Sequence, residues 1–374
     1  MKTSYKKNMK AAILTINSIN YGNRLQNYAI CHFLEKMSID SKSFYIYDLR
    51  KNVVIKRTRG LLKKIVKIIT PMSFLKWRKK YCTDSLNIKK EYIFEKFTVG
   101  HMNSEVITIY HDNDIKKHIN RNEYTYFIAG SDQIWNPDFA GDYYFFLDFV
   151  ESHKRIAFAA SIGYEVLPDD VLAQYAEYWK NMRYISVREE SAANLIETAI
   201  GRKVDVFLDP TMLLTQKEWK NISENPGFKL PERYILCLFL GNVPEDTIKD
   251  YQKALEMEVI KLNDKTYTDY YLAGPSEFLY LIEHADLILT DSFHCTVFSI
   301  IFHKDFYVFK REDENNMFTR LDNLLDKLGF QDRVQKSKRV NEREKIATER
   351  FVKSDEVMKA EQERVTQIMA DLLQ

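Results

Sequence analysis

The 374-residue sequence has little of what marks several protein classes. It has only four cysteines, none of them in a C-x-x-C pair, which disfavours a zinc ribbon or a disulfide scaffold. Eleven glycines and eight prolines are too few for long flexible linkers. Basic and acidic residues nearly balance, at 55 and 53, which disfavours nucleic-acid binding by the whole chain. We therefore expect an ordered globular protein with reduced thiols.

Long apolar runs are also missing. No stretch of about 18 apolar residues occurs, so the sequence predicts no transmembrane helix. The apolar run at 11–16 is too short for a signal peptide, and with the reduced thiols this predicts a cytoplasmic protein. Hydrophobic residues make up 45% of the chain and aromatic residues 13%. Such a chain is long enough for about two domains of about 100–200 residues each.

Short apolar runs alternate with helical periodicity along the chain. The runs are nearly continuous, which is typical of strands covered on both faces. The predicted strands are 11–16, 43–48, 126–129, 156–161, 184–187, 204–208, 234–240, 259–261, 286–290 and 306–309. The predicted helices are 24–36, 171–182, 190–198, 245–255, 276–284, 297–303 and a charged closing helix within 342–374. The alternation predicts an α/β fold with two doubly wound, Rossmann-like domains.

The predicted domains are residues 1–214 and 215–340, followed by the closing helix at 341–374. The boundary is marked by a cluster of turn-forming residues, namely Pro210, Pro226, Gly227 and Pro231. The packing stripe of the closing helix is predicted to be Val357, Val365, Ile368, Met369 and Leu372. Ligands of doubly wound sheets bind beyond the carboxyl ends of the strands. We therefore expect the site in the cleft between the domains.

The segment at 285–302, ADLILTDSFHCTVFSIIF, is an apolar strand, a polar turn and an apolar helix. Asp291 or Ser292 would cap that helix, and its free N–H groups, with the hydroxyls of Ser292 and Thr296, suit an anion. A protonated His294 there would bind a phosphate or carboxylate, or donate a proton. Spacing alone equally fits a capped helix whose histidine bonds to the neighbouring loop.

Basic residues follow two other strands. Lys310 and Arg311 follow the next strand, with Arg320 further on, and they would neutralise an anion or form an exposed basic pair. Arg188 directly follows the strand at 184–187. It would reach an anion across the cleft or pair with the glutamates that follow it, and the residues alone favour the local pair.

The segment at 128–137, IAGSDQIWNP, ends another strand. Asp132 and Gln133 would hydrogen-bond to hydroxyls, and Trp135 would pack against a sugar face. The alternative is turn chemistry, because Gly, Ser, Asp and Asn all favour turns. The first βα turn at 17–26 has no G-x-G-x-x-G, so dinucleotide binding is not supported, but it suits a hydroxylated ligand.

Together these segments resemble the polysaccharide pyruvyl transferases. The resemblance rests on YGNRLQNYA at 21–29, GSDQIWN at 130–136, ASIG at 160–163, SVREES at 186–191, LDPT at 208–211, GPSEFLYLIEHADLILTDSFHCTVFSIIF at 274–302 and the closing Lys-Arg segment. It implies a two-domain fold like that of GT-B glycosyltransferases. It also implies transfer of pyruvate from phosphoenolpyruvate onto two hydroxyls of a sugar, giving a cyclic ketal and inorganic phosphate.

The resemblance assigns roles position by position. The histidine of the S-F-H-x-T segment matches His294, the arginine of S-V-R-E matches Arg188, and the later basic residue matches Lys310 or Arg311. Cys295 stands where the pattern has a glycine or another small residue, and it is itself small.

The donor carries a phosphate and a carboxylate, which Arg188, Lys310 and the helix start at 292–296 would neutralise. His294 would protonate the methylene carbon or stabilise the departing phosphate, and Asp132 would accept a hydroxyl proton. The donor contacts expected are Ser292, Thr296, Lys310, Arg311 and Arg320. The acceptor contacts expected are Tyr21, Asn23, Gln26, Gln133 and Trp135. No metal and no cofactor besides the donor substrate is expected.

Residues 50–83 hold twelve Lys or Arg and no acidic residue, and GLLKKIVKIIT at 60–70 is amphipathic. The segment is predicted to be a helix packed on its own domain. The alternative is peripheral contact with an anionic membrane, at about 1 kcal/mol per basic residue, which suits a hexose acceptor on a lipid diphosphate in capsule or exopolysaccharide synthesis. Nucleic-acid binding is not expected, because interleaved stacking aromatics are missing.

Two other functions remain open. A GT-B-type glycosyltransferase would use a nucleotide sugar in the same architecture. A catalytically silent glycan-binding protein is the other, but it would have no reason to keep Arg188, His294 and a downstream lysine together.

Overall fold

The computed structural model describes residues 9–48, 85–111, 114–138, 143–311, 318–335 and 345–373. The amphipathic segment predicted at 60–70 lies outside these residues, as does the whole basic stretch at 50–83. Within the ranges that the structure describes, no helix combines the length and the apolar composition needed to span a bilayer.

The first sheet has seven strands, all parallel. They are β1 (Lys10–Leu14), β2 (Asp40–Asp48), β3 (Ser104–Ile109), β4 (Tyr126–Ala129), β5 (Arg155–Ala160), β6 (Tyr184–Val187) and β7 (Asp205–Val206). Their order is β3-β2-β1-β4-β5-β6-β7, which contains the strand order of the doubly wound dinucleotide-binding folds. The central strands β4 and β5 are buried along their whole length, as expected for a sheet covered on both faces.

The second sheet has four parallel strands in the order β11-β10-β8-β9. They are β8 (Tyr234–Leu238), β9 (Glu258–Lys261), β10 (Leu287–Thr290) and β11 (Phe306–Val308). Two parallel sheets, each with helices between its strands, confirm the predicted α/β class with two doubly wound halves. The boundary at 214 and 215 stays a prediction.

Helices connect the strands of both sheets. In the described ranges they are α1 (Tyr21–Lys36), α2 (Ser85–His101), α3 (Asp114–His118), α4 (Asp169–Lys180), α5 (Glu190–Ile200), α6 (Gln216–Lys220), α7 (Glu245–Leu255), α8 (Thr268–Tyr271), α9 (Pro275–His284), α10 (Phe293–Ile301), α11 (Phe318–Leu328) and α12 (Thr348–Leu372). Short 3₁₀ helices cover Tyr143–Phe146, Ser152–Lys154, Pro210–Leu213 and Gln331–Arg333.

Polar caps fix where the two helices nearest the site begin. The Asn20 side chain accepts hydrogen bonds from the backbone N–H groups of Gly22 and Asn23, at 2.8 and 3.4 Å, and so starts α1. Ser292 starts α10 by accepting from the Cys295 N–H at 3.5 Å. Asp291, the other residue considered for that cap, instead accepts from backbone N–H groups of the loop after β8.

The two halves share an apolar core. The ring of Tyr21 on α1 stacks on Phe278 of α9, with centroids 4.3 Å apart. Its hydroxyl donates to the Ala273 carbonyl at 2.9 Å. The closing helix α12 packs with Val365 and Met369 fully buried. These contacts bring the carboxyl ends of the two sheets to one place.

Candidate functional site

Arg188 lies at the carboxyl end of β6, among groups from the neighbouring strand ends. Its Nε donates to the Ser131 hydroxyl at 2.8 Å. One terminal nitrogen lies 2.9 Å from Asp209 Oδ2 and 3.7 Å from Asp132 Oδ1. The guanidinium therefore pairs with two carboxylates of other strand ends, and the local pair with the following glutamates does not form.

Asp132 follows β4 with a φ of 70°, a left-handed backbone that aspartate tolerates better than most residues. Its carboxylate accepts hydrogen bonds from the Asn23 side chain and from the Gln133 N–H. Burial opposes ionisation of this carboxyl, but the charges of Arg188, His294 and Arg320 outweigh it, so the pKa of Asp132 lies below its ordinary value. Asp132 is therefore held as a carboxylate.

Asp209 is a site residue to which the sequence analysis gave no role. It caps the 3₁₀ helix Pro210–Leu213, and its Oδ1 accepts from the Thr211 N–H at 2.9 Å and hydroxyl at 2.6 Å. Its Oδ2 faces Arg188 and lies 3.4 Å from His294 Nε2. Burial opposes ionisation, yet Arg188 and His294 hold the pKa of Asp209 well below its ordinary value. The available signal was an Asp-Pro-Thr sequence directly after a strand, which is typical of a capping aspartate.

His294 comes from the second half, at the start of α10. Gly22, in the first turn of α1, packs on its ring: a Cβ at position 22 would overlap the imidazole near Nδ1. The Y-G-N segment of the first half and the S-F-H segment of the second half therefore meet directly. A glycine is required at position 22 by this close approach.

Arg320 reaches the same place from α11. Its guanidinium lies 3.8 Å from Asp132 Oδ1 and 3.7 Å from Glu189 Oε1. The ring of Phe293 lies under both arginines, with the guanidinium carbons of Arg188 and Arg320 each 5.6 Å from its centroid. Arg188, Asp132, Asp209, His294 and Arg320 together are called the Arg188 cluster below. Of the predicted donor contacts, Arg320 is the one that belongs to it.

Glu189 is a second residue without a predicted role. It is buried, and the Ser161 hydroxyl donates to it. Burial raises the pKa of Glu189 in spite of the nearby Arg320. The pKa of Glu189 is therefore shifted in the direction opposite to those of Asp132 and Asp209.

A cavity of about 290 Å³ opens beside these residues. It is lined by groups from both halves, namely Arg188, Glu190, Val206, Phe207, Leu208, Asp209, Phe293, Arg320, Asn323, Leu324, Asp326 and Lys327. Its lining includes three basic side chains, Arg188, Arg320 and Lys327, and three acidic ones, Glu190, Asp209 and Asp326.

The other predicted donor contacts do not line this cavity. The Thr296 hydroxyl donates to the Ser292 carbonyl at 3.0 Å, and Ser292 caps the helix, so both hydroxyls serve α10 itself. Arg311 donates through Nε to Asp291 Oδ2 at 2.9 Å, and Lys310 is exposed. None of these four residues lines the cavity beside Arg188, and their contact with a donor stays a prediction.

Two predicted acceptor contacts are aromatic residues of the core. Trp135 is fully buried, stacks on Phe146, and donates through Nε1 to the Phe145 carbonyl at 3.3 Å. Its indole therefore has no face open to a sugar. Tyr21 joins the two halves, as described above, and burial raises its pKa. Apolar periodicity does not distinguish such buried rings from ligand-stacking ones, which is why the expectation was wrong.

Gln26 is also fully buried, and it holds the loop that carries Asp132. Its amide donates to the Thr15 hydroxyl at 2.9 Å and accepts from the Ser131 N–H at 3.0 Å. Gln133 is buried beside Gly163. Asn23, by contrast, contacts Asp132 directly. Of the five predicted acceptor contacts, Asn23 is the one that the structure brings to the cluster.

Clustered ligand side chains and reactive thiols would be the signs of metal or thiol chemistry in the part of the chain that the structure describes. No group of three or more His, Cys, Asp or Glu side chains there is arranged to hold a metal ion. Cys295 is fully buried, and burial raises its pKa to about 12, so it acts as a small packing residue.

Comparison with known proteins gives one family. The family model described as polysaccharide pyruvyl transferase matches residues 20–313. No curated protein matches the chain. Among solved structures, the UDP-GlcNAc 2-epimerase of Methanocaldococcus jannaschii has a TM-score of 0.44 and 13% identity, with 97% of this chain and 99% of that chain covered. HepE of Anabaena, in complex with UDP and glucose, has a TM-score of 0.44 and 10% identity, with 98% and 99% covered.

Proposed function

The chain belongs to the polysaccharide pyruvyl transferase family, and we propose that it transfers pyruvate from phosphoenolpyruvate to a hexose of a surface-glycan precursor. The product would be a cyclic ketal on two hydroxyls, with release of phosphate. The observation that supports this most is the meeting of Arg188 and Arg320 with His294 beside a cavity of about 290 Å³.

The size of the cavity and its two guanidinium groups favour phosphoenolpyruvate over a nucleotide sugar. Its volume of about 290 Å³ lies just below the range of about 300–1,000 Å³ for ligand sites. A donor with a phosphate and a carboxylate needs two groups that bind anions bidentately, and guanidinium groups do so. Arg188 and Arg320 supply them from opposite halves of the chain.

The reaction needs one acid and one base. A protonated His294 would give its proton to the methylene carbon, which becomes a methyl group and leaves the adjacent carbon cationic. One sugar hydroxyl then bonds to that carbon, the bond to phosphate breaks, and the second hydroxyl closes the ring. Of the two hydroxyl protons, one restores the acid and the other leaves with phosphate.

Asp132 is the proposed base. It is ionised, it lies beside Arg188, and a hydroxyl that bonds to a cationic carbon becomes acidic enough for a weak carboxylate base. Asn23, which donates to Asp132, would hold it in place. Glu189 would contribute by orienting Arg320.

A charge-conserving variant tests the role of Arg188. Arg188→Lys keeps the charge but loses the planar fork that holds Ser131 and Asp209, so we expect phosphate release from phosphoenolpyruvate and a hexose acceptor to fall by about 10²-fold. Arg183→Lys is the matched control, because Arg183 is exposed at the other end of the same strand. Equal rates for both variants would argue against the assignment.

We also propose that the acceptor is carried on a lipid diphosphate and that residues 50–83 bind an anionic membrane. The support is the charge of that stretch, twelve basic residues and no acidic one. Sedimentation with anionic vesicles should remove the protein from solution at low salt and release it at high salt. Vesicles of neutral lipid are the control, and no binding to anionic vesicles at low salt would exclude the proposal.

A further inference from the structure

Two buried polar atoms of the site face each other without a hydrogen bond. Asp209 Oδ2 and His294 Nε2 are both buried, and neither forms a hydrogen bond in the described part of the chain, although Oδ2 is ion-paired with Arg188 at 2.9 Å. They lie 3.4 Å apart, slightly beyond a normal hydrogen bond. Catalytic hydrogen bonds are commonly this long in ligand-free structures and shorten in the complex.

We propose that Asp209 is the positioning residue for His294. Its Oδ2 accepts the hydrogen on Nε2, which holds the imidazole in one tautomer, with the exchangeable proton of the charged ring on Nδ1. Its negative charge stabilises the imidazolium that carries this proton. The inference rests on the proposed function for the identity of the substrate. The expected tautomer of His294 does not depend on that function.

The geometry of both side chains supports this assignment. Oδ1 of Asp209 is engaged by the backbone and hydroxyl of Thr211, which fixes the direction of Oδ2. The ring of His294 is held from the other side by Gly22, which lies against it near Nδ1. The aspartate is therefore rigid, and the imidazole has little room to turn away from it.

The charges around the pair make Asp209 necessary. His294 lies in the first turn of α10 and against the first turn of α1, and both helix starts carry a partial positive charge. The other charged groups that face the pair are Arg188, Arg320, Asp132 and Glu189. Of the three carboxyl groups, Asp209 is the one paired with the imidazole. It therefore offsets the positive charges that surround the ring.

The tautomer is tested by NMR on the full chain labelled with ¹⁵N-histidine, without substrate. Comparison with His294→Gln assigns the resonances of the ring. We expect the hydrogen of the neutral ring on Nε2 in the wild-type protein and on Nδ1 in Asp209→Asn, because the amide would present N–H to Nε2. A wild-type ring with its hydrogen on Nδ1 would overturn the proposal, whether or not the variant folds.

Kinetics with phosphoenolpyruvate test the consequence. Loss of the aspartate in a Ser-His-Asp triad lowers kcat by about 10⁴ through the wrong tautomer, and we expect a kcat loss of about 10³–10⁴ in Asp209→Asn. KM for phosphoenolpyruvate should not rise, because the change removes a negative charge beside Arg188.

Asp205→Asn, at a carboxylate that accepts from Tyr184 outside the cluster, should keep wild-type kcat and the wild-type pH profile. An Asp209→Asn kcat within tenfold of wild type would refute the role. A wild-type protein that does not turn over phosphoenolpyruvate would overturn the proposed function alone, since the NMR result stands without substrate.

Discussion

Gly22 has no side chain, and this lets His294, the proposed acid, lie against α1. Gly22 lies in α1, where alanine would ordinarily be about 1 kcal/mol more favourable than glycine. The space that a methyl group would take is occupied by the imidazole of His294. The cost to helix stability is therefore outweighed by the close packing of α1 against the site.

Substitution of this glycine should separate stability from activity. Gly22→Ala should displace the ring of His294, and a displacement of about 1 Å at a catalytic group costs about 10²-fold in rate. We expect kcat to fall by about that factor while far-UV circular dichroism stays unchanged.

Gly100→Ala is the control, because Gly100 also lies in a helix but has open space around it. It should raise the free energy of unfolding by up to about 1 kcal/mol and leave kcat unchanged. A Gly22→Ala enzyme as active as Gly100→Ala would show that His294 tolerates movement or takes no part in the reaction.

The sequence predicted which types of residue form the site. It did not predict which of the candidate side chains are buried in the core. Arg188, His294 and Asp132 follow strand ends, and the structure brings them together. Trp135 also follows a strand end, yet it is fully buried. A turn sequence gives no indication of which way its aromatic ring points. Asp209 was missed because a capping aspartate has the same local sequence whether or not its second oxygen serves another residue.

Among the elements, α6 is a short helix whose capping box includes Glu218, a residue with a lowered pKa. Thr215 and Glu218 form a capping box, and Lys36 of α1 donates to Glu218 at 2.8 Å. Burial opposes ionisation, but the hydrogen bonds from Lys36 and Thr215 outweigh it and lower the pKa of Glu218 to about 2. The carboxylate therefore fastens α6 to α1.

This shift predicts an acid dependence of stability. Because the folded pKa is depressed, the contribution of Glu218 is complete at pH values above its unfolded pKa and is lost as the pH falls through about 2. Glu218→Gln should lower the free energy of unfolding by about 1 kcal/mol at pH 7, the scale of a helix cap.

Denaturant titrations from pH 7 to pH 2 measure this difference, which should shrink as the pH falls. Glu35→Gln is the matched control, since its carboxylate is 78% exposed and should show little difference at any pH. A constant difference between wild type and Glu218→Gln would contradict the account.

Several elements were not predicted, and for strand β3 and helix α2 the reason is identifiable. Strand β3 lies at the edge of its sheet, and Val106 within it is 63% exposed, so it lacks the continuous apolar run of a covered strand. The buried face of α2 includes Lys90 and Thr98 beside Phe94 and Phe97, which weakens the apolar period. The central strands were predicted well because both of their faces are covered.

At the scale of the whole molecule, the site exists because the two halves meet. Asp132, Arg188 and Asp209 come from the first sheet, and His294 and Arg320 come from the second half. Their distances depend on contacts far apart in sequence, such as the Tyr21–Phe278 stack. Local patterns predict each sheet but not how two sheets face each other, so the cluster could be expected only through the family resemblance.

The central claim is that this cluster binds phosphoenolpyruvate. It is tested most directly by a thermal-shift titration of wild type and His294→Ala with phosphoenolpyruvate, beside UDP- and GDP-sugars. A ligand that binds the folded state raises the unfolding midpoint as its concentration passes the dissociation constant. We expect a shift with phosphoenolpyruvate that is lost or strongly reduced in His294→Ala, and none with the nucleotide sugars. A shift with a nucleotide sugar alone would contradict the claim and identify the chain as a glycosyltransferase in the same architecture.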